Sequence, residues 1–356
     1  MNAEPPEAHF HVEYQPRRPG YANRYPTYCR LMTAPIPHSE LQAIPFFDSG
    51  FDPAHVITTL SFYVDGEWHS WIPVGDKLQK MKGWPVEANY FGDCRERDTD
   101  QRFPLLELLS QRTLTNDMHG RFRAIWNDFQ MMAASLGKVQ LFYESRDHTT
   151  LGIRRFMQSE IEMLTNVCRS IFDLLQEIAA AHIARIHVPD SPPAKRLPSS
   201  FRAMVFKSNA RMSVTEIVTR YQIPAEIAEW YCRHIDFFLD LRSIRDKFIH
   251  GGKTIEMIFS TDRGFAVSRE DDPFYGLFDW PVSCESPNSL VPIRPVLCTV
   301  VRCTLDACDD FVKTLESSVQ LPDMLAPKLS LWSRGINDHK LEEIDSVLAG
   351  SLWDEG

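Results

Sequence analysis

The sequence predicts a mainly α-helical fold with small β-hairpins and a proline-rich, mixed α/β N-terminal region. Three stretches carry that expectation. Residues 151–187 set Ile153, Met157, Ile161, Leu164, Cys168, Ile171, Leu175, Ile178 and His182 at steps of three and four, the spacing of one helix face. Residues 226–250 do the same with Ile227, Tyr231, Phe238, Leu241, Phe248 and Ile249, and 293–318 with Leu297, Val301, Leu305, Cys308, Phe311 and Leu315. Strand-like runs are short and sit beside turn residues.

With 356 residues, 44% hydrophobic and 24% charged, the chain can bury a sizeable core as one large domain or two ordinary ones. No apolar run approaches the roughly eighteen residues that span a bilayer, so no membrane association is expected. The N-terminus, MNAEPPEAHFHVEYQPRRPG, has no apolar segment after a basic start, so a secretory signal is not expected and a cytoplasmic location is. The eight cysteines contain no C-x2-C pair, and Cys298, Cys303 and Cys308 recur every five residues, which scatters them around a helix. They read as small buried residues of a reduced protein, with no metal site. A net charge of −10 argues against a protein that coats nucleic acid. The charge is uneven, because residues 151–254 hold 15 Lys and Arg against 11 Asp and Glu.

In chain order, eight prolines over residues 1–50 forbid long helices and suggest an extended arm, with His9 and His11 solvated on it. Residues 57–74 form two β-rich runs around Asp65-Gly66, a strong hairpin signal. Trp68, His69 and Trp71 on the second run are explained by cross-strand packing more cheaply than by stacking on a base. Helices are expected near 103–114 and 116–136, the second capped by Asn116 and Asp117, followed by a strand or link over 138–143. After the 151–187 helix, Pro189 to Pro193 is a loop, and His182 is a core histidine. A short helix near 200–211 precedes Ser213 and Glu216, which match a capping box. Pro224 opens the 226–250 helix, and Gly251-Gly252 suits its end. A small hairpin around Thr261 to Gly264, an irregular stretch to 292, the 293–318 helix and a short helix near 339–349 complete the chain.

The 226–250 helix carries the candidate site, Arg245-Asp246-Lys247-Phe248-Ile249-His250. At about 100° per residue, Arg245 shares a line with Ile227, so a guanidinium falls within an apolar stripe, where it is costly unless paired or facing a partner. His250 is rotated from Arg245 by about 140°. Arg242, Asp246 and His250 follow at four-residue steps, so Asp246 can hold Arg242 and orient the imidazole. Gly252-Lys253-Thr254 is no phosphate loop, because Lys247 occupies the position of its first glycine and a helix precedes it.

A long helix, a helical link, a helix ending in Arg-Asp-x3-His-Gly, a small insertion and a final long helix resemble the HEPN superfamily, named for a nucleotide-binding domain of higher eukaryotes and prokaryotes. Its hallmark is Arg, four to six residues, then His, and Arg245, Asp246, His250 and the following Gly251 match it. The resemblance covers residues 150–318. It divides the chain into the arm (1–50), a mixed α/β region (51–148), a HEPN-like antiparallel helical bundle (149–320) and a tail with a short helix (321–356).

The family implies a homodimer across the motif-bearing helices, with two Arg–His pairs in one cleft. Its active members are metal-independent endoribonucleases that need no cofactor. The resemblance therefore implies an RNA substrate and a role of the kind found in toxin–antitoxin or antiviral defence systems, with an antitoxin-like protein partner. Arg245 would hold the phosphate, His250 would transfer protons, Asp246 would orient and Lys253 would add charge for substrate binding. The alternative is a non-catalytic HEPN-like module that binds nucleotide, RNA or a protein.

Overall fold

A computed structural model describes residues 59–74, 77–83, 87–113, 115, 118–147, 152–183, 195–250, 257–269, 277–281, 285, 289–335, 340–350 and 353, except the side chains of 73, 77, 247–250 and 340–342. Every described residue belongs to one compact unit, Ile36–Gly356. The expected arm with His9 and His11, the caps Asn116 and Asp117, the 189–193 loop and Gly251-Gly252 lie outside the described residues.

Strands β1 (Ser61–Val64) and β2 (Glu67–Val74) form the expected hairpin. Asp65 and Gly66 both take positive φ, 54° and 79°, the backbone a two-residue loop needs to match strand twist. Three further strands join them: β3 (Lys77–Met81), β4 (Ala88–Gly92) and, far along the chain, β10 (Ser330–Arg334). The order is β10-β4-β1-β2-β3, with β1 parallel to β4 and the other neighbours antiparallel. This sheet corrects the expected mainly α-helical fold class: the protein is mixed α/β, not a helical bundle with small hairpins. The physical reason is local weakness. β3, β4 and β10 are five residues each and too short to show a period, and pairing joins residues as distant as Asn89 and Ser333, 244 positions apart.

Helix α1 (Pro104–Leu108) continues into a π-helical turn, Leu109–Thr113. There the buried Gln111 side chain donates to the Ala326 and Leu329 carbonyls at 3.2 and 2.7 Å and accepts from the Ala326 N–H, tying down the segment that leads into β10. Helix α2 (His119–Glu144) absorbs the residues 138–143 read as a strand or link. Met132, Leu136, Val139 and Tyr143 are all buried at steps of three and four, so the helical face runs on. Helix α3 (Ile153–Ile183) is the expected long helix, with His182 buried at 7% exposure. The expected helix over 200–211 is shorter: α4 (Phe201–Val205) gives way to a two-residue hairpin, β5 (Phe206–Lys207) and β6 (Ala210–Arg211). Ser208 and Asn209 at positive φ turn it, which stops the helix.

Helix α5 (Val214–Tyr221) is closed at its start by the Ser213–Glu216 capping box, and α6 (Ala225–His250) follows Pro224. A second sheet, β7 (Phe259–Thr261), β8 (Gly264–Ser268) and β9 (Leu290–Pro292), precedes α7 (Arg294–Ser318), and α8 (Lys340–Ala349) ends the described helices. α2 and α3 form an antiparallel hairpin cross-linked by Arg121–Glu177, Asp128–Ser170 and Ser135–Glu160. α6 runs antiparallel to α3, because Tyr231 donates to Gln176 while Phe238 meets Phe172. One apolar core passes from Phe62 and Phe91 of the sheet through Leu105 and Ile171 to Phe238 and Val301, each fully buried. Each such side chain contributes about 1.5–3 kcal/mol.

Candidate functional site

The buried stripe of α6 is Ile227, Ala228, Trp230, Tyr231, Ile235, Phe238, Leu241 and Ile244. At its last described turn the stripe passes through Ile244, and Arg245 stands at its flank with 34% of its side chain exposed. Over the last turns the buried positions advance by threes, Ile235, Phe238, Leu241 and Ile244, and each step falls about 60° short of a full turn, so the stripe winds away from the line that Ile227 shares with Arg245. Arg245 is therefore not a guanidinium sunk in the core.

Asp246 joins two arginines. Its Oδ2 lies 3.4 Å from Nε of Arg242, the i, i+4 pair the spacing predicts, and its Oδ1 lies 3.7 Å from Nη1 of Arg245. All three side chains are about a third exposed or more, so the pairs are solvated and weak. Among the described residues, Asp246 is the only ion-pair partner of Arg245. His250 is the last residue of α6; its side chain, and all of Lys253, lie outside the described residues. The structure thus places Arg245 and Asp246, both half-buried, side by side in one turn of α6.

One constellation was not legible in the sequence. His234, two turns before Leu241, places Nε2 2.8 Å from Oδ2 of Asp310 on α7, and Arg233 pairs with the same oxygen. Trp230 flanks the imidazole at 5.4 Å and donates its own N–H to the Ala307 carbonyl at 3.2 Å. Burial holds the His234 imidazole below its ordinary pKa, and Asp310 only partly opposes this. Burial would raise the Asp310 carboxyl, but hydrogen bonds from His234 and Arg233 outweigh it and leave it lowered. Histidine and aspartate stand 76 residues apart, so no local signal pairs them.

Trp68 and Trp71 serve packing. Trp68 lies 4.8 Å from Tyr90 and 5.4 Å from Tyr63, and Trp71 meets Phe62 edge-on. Cys168, Cys298 and Cys308 are buried, and burial pushes the Cys168 thiol up to about 12, which makes it inert. Among the described residues, no three of His, Cys, Asp and Glu are placed to hold a metal ion, and no helix is long and apolar enough to cross a membrane. The chain matches no family model, no characterised protein and no solved structure.

Proposed function

We propose that this protein is a metal-independent endoribonuclease of the HEPN type, acting through Arg245 and His250. The observation that supports it is the state of Arg245. It sits near the end of a 26-residue helix, one-third exposed, with only its neighbour Asp246 to hold it among the described residues, which leaves its fork of donors for a phosphate. In this proposal Arg245 binds the scissile phosphate and stabilises the charge that builds on it. His250 takes the proton from the RNA 2′-hydroxyl as that oxygen attacks the adjacent phosphorus. The 5′-oxygen leaves with a proton, giving a 2′,3′-cyclic phosphate and a 5′-hydroxyl. Asp246 positions the imidazole, and Lys253 adds positive charge. A homodimer would set two such pairs in one cleft, in the cytoplasm, where a protein partner would restrain the activity.

A second proposal, a module that binds nucleotide, RNA or protein without cleaving, is favoured by the net charge of −10, which opposes long RNA. RNA cleavage in excess chelator, with folding and oligomeric state checked, separates the two. Wild type is expected to cleave, and His250→Ala and Arg245→Ala to lose about 10²–10⁴-fold while remaining folded. Undiminished cleavage in both variants would sink the assignment of these residues. A wild type that binds RNA and leaves it intact would favour the module.

A further inference from the structure

An open groove of about 490 Å³ lies where the end of α2, the start of α3 and the β7–β8 hairpin meet, lined by Arg146, Asp147, Ile153, Arg154, Ile258, Ser260, Thr261, Asp262 and Phe265. Its walls are fixed. Tyr143 donates its hydroxyl to the Thr261 carbonyl at 3.2 Å and packs edge-on against Phe265, which holds the hairpin to α2. Arg146 is held as well: its guanidinium lies 4.1 Å from the centre of the Tyr143 ring, and Nη1 donates to the Tyr143 carbonyl at 2.9 Å. Arg154 is the second residue of the 31-residue α3, so its cation adds to the positive end of that helix.

Neither arginine has an ion-pair partner among the described residues, although Asp147 and Asp262 line the same groove. Two cations, two carboxylates and the apolar residues Ile153, Ile258 and Phe265 therefore converge, with one nitrogen of Arg146 given to the Tyr143 carbonyl and neither arginine neutralised by a described carboxylate. The carboxylates would repel a bare inorganic anion. They suit a ligand that carries hydroxyl or amino donors beside its negative group, and the apolar faces suit a flat ring. The volume lies within the range of about 300–1,000 Å³ usual for small-molecule sites.

We propose that this groove binds a nucleotide. Arg146 and Arg154 take the phosphate, Asp147 and Asp262 accept hydrogen bonds from ribose hydroxyls or base amino groups, and Ile153, Ile258 and Phe265 cover the base. The ligand is either a free mononucleotide or one unit of an RNA strand. The proposal stands on the lining of the groove and not on the roles given to Arg245 and His250.

The test is calorimetric binding of AMP, adenosine, inorganic phosphate and a short oligoribonucleotide to the full chain. Each is run in wild type and in His250→Ala, so that binding is read whether or not the chain cleaves. AMP is expected to saturate, about ten-fold tighter than adenosine or phosphate alone, and to weaken about ten-fold in Arg146→Gln and in Arg154→Gln. Asp262→Asn is expected to weaken AMP and to leave phosphate binding equal or tighter, because it removes a repelling charge. Arg154 is exposed, so its variant tests the site even if Arg146→Gln fails to fold. An oligoribonucleotide that binds tighter than AMP, with the same arginine dependence, marks an RNA strand as the source; equal or weaker binding marks the free nucleotide. No saturable binding of either, or binding indifferent to both arginines, overturns the proposal.

Discussion

Arg334 is almost withdrawn from solvent, with 3% of its side chain exposed, and three kinds of partner hold it. Its guanidinium pairs with Asp100 at 3.0 Å and with Glu96, and lies over the Trp68 ring at 4.8 Å. The same Asp100 oxygen accepts from the Tyr90 hydroxyl at 2.7 Å and from the Arg97 N–H at 3.1 Å. Removing one partner of such a buried pair strands the other charge, so Arg334→Met is expected to lower folding stability by about 3–5 kcal/mol. Urea denaturation measures this, and Arg334→Lys is expected to recover only part, because an ammonium cannot span both carboxylates while stacking on the indole. A loss below about 1 kcal/mol would mean that Asp100 finds a proton or water instead. Nothing in Ser-Leu-Trp-Ser-Arg announces this role, since Asp100 lies 234 residues away. Arg245 shows the other side of the same limit: its place in the helix was readable to within one position, and that one position decides between core and flank.

At the scale of elements, features closed within a few residues were legible. The Ser213–Glu216 box and the Asp65-Gly66 turn each involve contacts no more than three residues apart. Element ends were less so, because α2 outruns its expected end by eight residues when its apolar face continues to Tyr143 against α3 and Phe265. The join between α6 and α7 depends on the protonation of His234. Unfolded, that imidazole titrates near its ordinary value of about 6.5; folded, burial holds it lower. The folded state disfavours the proton, so this site's contribution is complete above about pH 6.5 and is lost as pH falls through the folded value. Asp310 acts in a lower window, below its ordinary 3.8. His119 is lowered by burial too, so it adds to the same slope. Urea midpoints taken from pH 7 to pH 5 are expected to fall less steeply in His234→Gln than in wild type. Identical slopes would show that His234 does not feel its burial.

For the molecule as a whole, β10 brings residues 330–334 into the sheet that begins near residue 61. A chain ending at Leu329 would leave β4 with an open edge and Asp100 without Arg334. It is expected to aggregate or to lose its near-ultraviolet circular dichroism. A chain ending at Gly335 keeps β10 and forfeits α8, with its Arg294–Glu343 and Arg302–Asp345 pairs, and the buried Trp353, and is expected to stay folded with a lower urea midpoint. Equal behaviour of the two truncations would deny β10 its closing role.

The sequence by itself determined the three long helices, the capping box, the tight turn and the position of the Arg245–His250 run at a helix end. Periodicity, caps and turns are set by forces that act over about four residues. Only the tertiary structure decided that a five-stranded sheet makes the fold mixed α/β, that Arg245 stands at the flank of its stripe, and that His234 meets Asp310. Each of these depends on segments distant in sequence arriving at one place, and the free energy that brings them there comes from burying a shared core and not from any single stretch of letters.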